Sequence, residues 1–335
     1  MDPAVSPPLK DYEKIVTHND FDGIVSASLC TWVLKMNKVI FAGPLTITRS
    51  QITITEKDVV CDLPYPLLCG LWFDHHEGNL QELTLRKIHP QSIPGRFDLK
   101  PSCSRVVYDY FSEKVDLPLY FIRAVEEADV IDSFSYSSVE DWRRETPGRN
   151  IDLTLKAPFP SAEDQVSHMR NLVQQLRDRP IEEVSCLDFI QKRLKQYREE
   201  EGRMIRIIRD ASYFIEQDEK KEVVVIDLTS YQRRPHLIKN LAFLIYPEAL
   251  GVLEIYNLMD YQGVKSNHLG LSMSLSINGN RKNQTKNIGE IMRTLNMGDG
   301  HPGAAAGTLR CKSKQEMLKK KKEVLNQIFK LWASQ

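Results

Sequence analysis

The chain has 335 residues, with 45 Lys plus Arg against 45 Asp plus Glu, 41% hydrophobic and 27% charged. This ordinary globular balance excludes long disorder, a collagen repeat and a coiled-coil rod, and the length suggests about two domains. A formal charge of zero makes the chain a poor candidate for wrapping long duplex DNA, which takes many cationic phosphate contacts, though a local basic groove stays open. The six cysteines are sparse, lack the CxxC spacing of a structural zinc site and mostly sit among apolar residues, as buried thiols do in a reducing compartment. The first ten residues have neither the charged nor the apolar region of a signal peptide, and no apolar stretch reaches the ~18 residues of a membrane span. The chain reads as soluble and cytoplasmic.

In chain order, Tyr12 to Thr17 is a short β-rich run, and Gly23 to Met36 has helical spacing of its apolar residues. Val59 to Leu63 and Leu71 to Phe73 are apolar strands that stop at acidic residues. Such alternation predicts an α/β fold, with an N-terminal mostly parallel sheet covered by helices on both faces. Pro101 to Phe111 and Leu119 to Val130 read as helices. Ile181 to Ala211 reads as one long, heavily charged amphipathic helix, suited to joining two domains. A second, smaller α/β domain then restarts with strand Glu222 to Leu228 and helix-like His236 to Tyr246. Strands Leu250 to Tyr256 and Leu269 to Ile277 follow, then a helix around Asn287 to Leu295, a glycine-rich turn from Gly298 to Gly307 and a basic terminal helix. The expected division is residues 1–180, a connecting helix 181–211, and residues 212–335.

Three motifs each follow a predicted strand: His18-Asn19-Asp20-Phe21-Asp22-Gly23, Cys61-Asp62-Leu63-Pro64 and Asp74-His75-His76. In a parallel sheet, strand ends meet along one edge, where ligands bind. Carboxylates mixed with imidazoles suit Mn²⁺ or Mg²⁺, with Zn²⁺ or Co²⁺ also admissible. Unpaired carboxylates gathered in one place repel, and two divalent cations remove that penalty while supplying a phosphoryl-transfer mechanism. An Asp-x-Asp at a strand end is by itself more often a turn or cap, and a lone histidine is more often packed or surface-exposed. The Asp-His-His triplet is rarer, and its company at matching strand ends favours metal.

His18-x-Asp20-x-Asp22-Gly23, Asp62 and Asp74-His75-His76 together resemble the DHH phosphoesterases, named for that triplet. Gly298-Asp299-Gly300-His301-Pro302-Gly303-Ala304-Ala305-Ala306-Gly307 resembles the glycine-His signature of the DHH-associated C-terminal domain, with Asp299 where the family often has glycine. The resemblance runs from about Ile15 to about Arg310. It implies that His18, Asp20 and Asp62 hold one Mn²⁺. Asp22, Asp62, His75 and a further Asp hold a second, with Mg²⁺ or Co²⁺ as substitutes. Glu127 to Ser133 offers Asp129 and Asp132 for the further ligand, and the "ADV" context favours Asp129. Asp74 orients a ligand imidazole, and His76 sits near the nucleophilic water and the scissile phosphate.

The glycine run, with a helix N-terminus after it, is expected to bring backbone N–H groups to an anion. Gly300, His301 and Gly303 would then bind the substrate end remote from the metals, and Arg281 can pair with a substrate phosphate. The implied activity is two-metal hydrolysis of very short oligonucleotides or linear dinucleotides to mononucleotides, in a site between the two domains. Alternatives are a RecJ-like single-strand exonuclease and a cyclic-dinucleotide or pyrophosphate-type phosphohydrolase. The implied partners are a short nucleic acid or dinucleotide and no membrane, and a homodimer is compatible with the sequence.

Overall fold

The computed structural model describes residues 11–277 and 285–335. The chain divides into two compact units, Met1–Ser135 with Arg144–Tyr197, and Tyr136–Arg143 with Arg198–Gln335.

The first unit is built on β1 (Lys14–His18), α1 (Phe21–Leu34), β2 (Val39–Ala42), α2 (Pro44–Thr48), β3 (Asp58–Cys61), β4 (Leu71–Asp74), α3 (Glu77–Leu85) and β5 (Gly95–Phe97). The five strands form a wholly parallel sheet in the order β2-β1-β3-β4-β5. Side chains alternate along each strand. Ile15, Val59 and Phe73 therefore enter one core with α1, while Val16, Val60 and Trp72 enter a separate core with Leu83 of α3. Both faces are covered, as short apolar strands in a parallel sheet require. The chain continues through α4 (Cys103–Ser112), α5 (Tyr120–Asp132), α6 (Val139–Arg143), α7 (Pro147–Lys156), α8 (Ala162–Asp178), α9 (Ile181–Ser185) and α10 (Asp188–Ala211). Helices α4, α5, α7 and α8 add Val106, Phe121, Val125, Ile151 and Leu172 to the larger core, and α9 and α10 add Ile181, Val184 and Ile190.

The expected single helix from Ile181 to Ala211 is broken between Ser185 and Asp188. Gln191 Nε2 donates to the Ser185 carbonyl at 2.7 Å, which satisfies a group that a continuous helix would have paired through its backbone. The border between the units falls inside α10, at Tyr197/Arg198.

His168, on α8, is buried among the Phe159 and Phe189 rings. Its Nε2 lies 2.9 Å from Thr154 Oγ1, whose own hydrogen goes to the Ile151 carbonyl, so the imidazole is the donor. Burial, with the nearby Arg193 charge, lowers its pKa to about 4. The folded state thus refuses a proton that the unfolded chain accepts below about pH 6.5. The stability this neutral histidine contributes is complete above that pH and falls away as the pH drops towards 4, by about 3 kcal/mol in all. Urea midpoints at pH 7.5 and 4.5 should therefore differ more in the native protein than in His168→Gln, and equal differences would overturn the assignment.

The second unit contains α6, the end of α10, β6 (Ser212–Tyr213), β7 (Val223–Asp227), a 3₁₀ turn (Lys239–Leu244), β8 (Gly251–Met259), β9 (Lys265–Leu275), α11 (Ile288–Thr294), β10 (Gly298–His301), β11 (Ala304–Leu309) and α12 (Lys314–Ser334). The strands form a mixed sheet in the order β10-β11-β9-β8-β7-β6, in which β7 and β8 pair in parallel and the other neighbours antiparallel. Helices α11 and α12 cover one face, packing Ile291, Met292, Ile328 and Trp332 on Leu253, Ile255, Leu271 and Met273. The expected helix His236 to Tyr246 shrinks to the 3₁₀ turn between Pro235 and Pro247, two residues that bias their predecessors away from helix.

The expected glycine-rich turn is a β-hairpin, β10 and β11, and the helix that follows, α12, starts at Lys314, beyond the end of β11 at Leu309. Its glycines allow close backbone approach. A Cβ on Gly298 would lie 1.9 Å from the Ala306 carbonyl oxygen, and one on Gly289 of α11 would lie 2.3 Å from that of Gly300. Among the described residues no helix is long and apolar enough to cross a membrane.

Candidate metal centre

The site is assembled at the carboxyl edge of the parallel sheet. His18 ends β1, and Asp20 caps α1 with extended backbone, its Oδ1 accepting from Gly23 N at 2.9 Å. That leaves Oδ2 2.6 Å from His18 Nδ1. A Cβ on Gly23 would come 2.3 Å from the His18 carbonyl oxygen, so only glycine lets α1 begin this close to β1. Asp22, in the first turn of α1, is buried, and its two oxygens accept from Cys103 N at 2.7 Å and Ser104 N at 2.9 Å. Those N–H groups open α4, where the helix dipole favours a carboxylate.

Asp62 follows β3 with φ +58°, a left-handed conformation that costs a non-glycine residue energy and marks special sites. Its carboxylate is fully buried, and neither oxygen has a hydrogen-bond partner. Oδ2 lies 3.5 Å from His18 Nδ1, and Oδ1 lies 3.6 Å from His75 Nε2 and 3.8 Å from His76 Nδ1. Asp74, at the end of β4, is also buried, but it is satisfied by His76 Nδ1 at 2.8 Å and Asn79 Nδ2 at 2.7 Å. The imidazole it orients is thus His76. His75 is set by a different group, the Lys100 carbonyl, 3.0 Å from Nδ1. A carbonyl only accepts, so Nδ1 carries the hydrogen and a neutral ring presents the lone pair of Nε2. That buried Nε2 has no hydrogen-bond partner and lies 3.3 Å from Asp132 Oδ2.

Three overlapping groups result: His18, Asp20 and Asp62; Asp22, His75 and Asp132; and Asp62, His75 and His76. Within each group the ligand atoms lie inside 4.8 Å of one another. The expected further ligand, Asp129, is not in any of them. Both its oxygens are engaged, Oδ1 by Ser102 Oγ at 2.6 Å and Oδ2 by Arg105 Nε and Nη2 at 3.0 and 2.7 Å. Ser102 is the cap of α4, accepting from Arg105 N at 3.1 Å. Asp129 therefore anchors the helix end that holds Asp22, and Asp132, one turn further along α5, faces His75. The sequence offered both residues, and the one in the more familiar local context, Asp129, lies outside the three groups.

The electrostatics show what the arrangement lacks. Burial, reinforced by the Asp62 and Asp132 charges, pushes the Asp22 carboxyl well above the usual range. Burial, only partly offset by His75 and reinforced by Asp62, takes Asp132 up to about 7. His18 and His75 are each raised to about 10, because pairing with the surrounding carboxylates outweighs the burial that would lower them. Asp62 is held at about 2 despite its burial, by His18 and His75. Without a metal, protons on His18 and His75 supply the positive charge that this buried group of carboxylates demands, and a divalent cation would supply it in their place. Oxygen and imidazole donors at this density fit divalent ions.

The described residues place Gly300 in β10 and Gly303 in the hairpin turn. Arg281 and the His301 side chain lie outside the described residues.

No family model matches this sequence, and no curated protein matches it. Solved structures do. One is similar at 22% identity and a TM-score of 0.68 over 95% of this chain and 98% of its own, a pGpG-specific phosphodiesterase, PggH, from Vibrio cholerae. The chain is also similar to RecJ in complex with Mn²⁺ from Thermus thermophilus, at 13% identity and a TM-score of 0.53. The fold is that of the DHH phosphoesterases. The RecJ likeness covers 98% of this chain but 56% of that one, so this chain spans little more than half of that protein. A further exonuclease RecJ, bound to manganese, is similar at 12% identity and a TM-score of 0.50 over 96% of this chain and 95% of that one. The strand-end placement of Asp62 and the Asp-His-His triplet within this DHH fold agrees with what the motifs predict.

Proposed function

We propose that the chain is a divalent-metal-dependent phosphodiesterase that converts very short oligonucleotides or linear dinucleotides to mononucleotides. The observation that carries this is Asp62, whose two buried, unpartnered oxygens stand between His18 on one side and His75 and His76 on the other. His18, Asp20 and Asp62 would hold one ion, and Asp22, His75 and Asp132, with Asp62 shared, a second. Divalent ions there would activate water and stabilise charge on the phosphate and the leaving oxygen.

The chain's own residues prepare that chemistry. The N–H groups of Cys103 and Ser104 fix the Asp22 carboxylate, and the Lys100 carbonyl fixes the His75 tautomer. His76 is half exposed, with Nδ1 bound to buried Asp74, so Nε2 is free to hold or pass a proton at a substrate oxygen. A short substrate is favoured by the zero formal charge, which offers little counterion release along a longer strand. It is also favoured by the fold shared with a pGpG-specific phosphodiesterase.

The test is a ranking of initial rates with Mn²⁺, Mg²⁺ and Co²⁺ on RNA and DNA of two to twenty nucleotides, on pGpG and pApA, and on pyrophosphate. Dinucleotides should be cleaved fastest, with rates falling as length grows. Faster cleavage of the longest strands would favour a RecJ-like exonuclease instead. Intact substrates with all three metals would end the proposal.

A further inference from the structure

The second unit carries a cavity of about 700 Å³, within the size range of small-molecule sites. It opens where β7 and β8 end and β9 begins, and one wall is the face of α12 that bears Lys314, Leu318 and Lys321 at helical spacing. Lys265 starts β9, whereas Ser274, nine residues on, pairs with Ala304 of the glycine-rich hairpin. At strand rise, that separates the cavity from the hairpin turn by ~30 Å.

The cavity has a surplus of hydrogen-bond donors. Lys265 Nζ gives one hydrogen to the Thr229 carbonyl at 2.7 Å. Lys321 Nζ gives two, to Asp227 Oδ2 at 2.6 Å and Thr229 Oγ1 at 2.9 Å. Lys314 Nζ has no partner among the described residues. An ammonium carries three hydrogens, so two on Lys265, one on Lys321 and three on Lys314 remain. The nearby acceptors are largely taken, since Asp227 Oδ1 already receives the N–H and hydroxyl of Thr229. Three lysines against Asp210 and Asp227 leave a net positive lining. Two further features ask for more than a bare anion. Asn257, 7% exposed, lines the cavity with an Oδ1 that has no partner and would take a donor. Tyr231 and the half-exposed Leu318 offer flat and apolar surface for a ring.

We infer that this cavity binds a phosphomonoester carrying an aromatic ring, of mononucleotide size, with the phosphate on Lys265 and Lys314 and the ring by Tyr231 and Leu318. The site shares no residue with the metal cluster, and its test does not depend on hydrolysis. GMP, AMP and inorganic phosphate are titrated calorimetrically into the full chain bearing Asp62→Asn, in EDTA, so that the metal centre is silent. The expected result is one mononucleotide per chain, bound at least about tenfold more tightly than inorganic phosphate.

Adding Lys265→Met with Lys314→Met should weaken nucleotide binding at least about tenfold, and Tyr231→Ala should weaken it while leaving phosphate binding unchanged. Lys314→Glu alone, at an exposed position that does not disturb folding, should reproduce most of the lysine effect. On the otherwise native chain, the lysine changes should leave dinucleotide hydrolysis at its normal rate. Unchanged nucleotide affinity in the lysine variants, equal affinity for phosphate and nucleotide, or no binding at millimolar concentration would each overturn the inference.

Discussion

Asp62→Asn is expected to lower kcat/KM for dinucleotide hydrolysis about 10³-fold, ~4 kcal/mol of transition-state stabilisation. Asn fills the same volume and tolerates the left-handed backbone at φ +58°, so the strand end keeps its shape. What changes is the charge between His18 and His75, and with it the ability to hold two cations at once. In the metal-free protein Asp62 is held low, and His18 and His75 high, by their mutual attraction, so the change removes a favourable charge pairing along with a buried charge. The metal-free variant should therefore melt somewhat lower than the native chain. It should also lose most of the rise in Tm that Mn²⁺ gives the native protein, since ligands that bind only the folded state stabilise it. Turnover within a factor of a few of native at saturating metal would remove Asp62 from the proposed centre.

The second large effect separates Asp132 from Asp129. Asp132→Asn should reduce Mn²⁺ affinity and hydrolysis by about 10–100-fold while changing the urea midpoint little, because its carboxylate faces His75 and does not brace the fold. Asp129→Asn should do the reverse. It weakens an ion pair in which two Arg105 N–H groups share Oδ2, and it loosens the hold on the Ser102 cap, at a cost of about 1.5–3 kcal/mol in stability. Its effect on hydrolysis is indirect, through the α4 N–H groups that clamp Asp22, and excess Mn²⁺ should restore much of it. A stable, inactive Asp129→Asn beside an unstable, active Asp132→Asn would mean that the two carboxylates have been assigned the wrong way round.

The difficulty with this pair is physical. Asp129 and Asp132 are three residues apart on one helix, so both point to roughly the same side, and local sequence cannot say which turn lies over the sheet edge. The packing of α5 against α4 places Arg105 and Ser102 opposite Asp129 and leaves Asp132 facing His75. The glycine run is a similar case. Closely spaced glycines signal close backbone approach whether the neighbour is a phosphate or another strand. Here the described neighbours are β11 and α11. The break after Ser185 was hidden for another reason. The apolar spacing of Ile181 to Ile208 continues across it, and Gln191 repairs the interrupted ladder from outside the gap.

The amino-acid order alone determined that a parallel α/β sheet would bring His18, Asp20, Asp22, Asp62, Asp74, His75 and His76 to one edge. Strands of period two ending in acidic or imidazole side chains leave no other edge for those groups. Only the tertiary structure decided which carboxylate of α5 completes the cluster, that Asp74 serves His76 while a main-chain carbonyl serves His75, and that α4 clamps Asp22. Each of these depends on distances between elements far apart in the chain, which the local pattern does not encode.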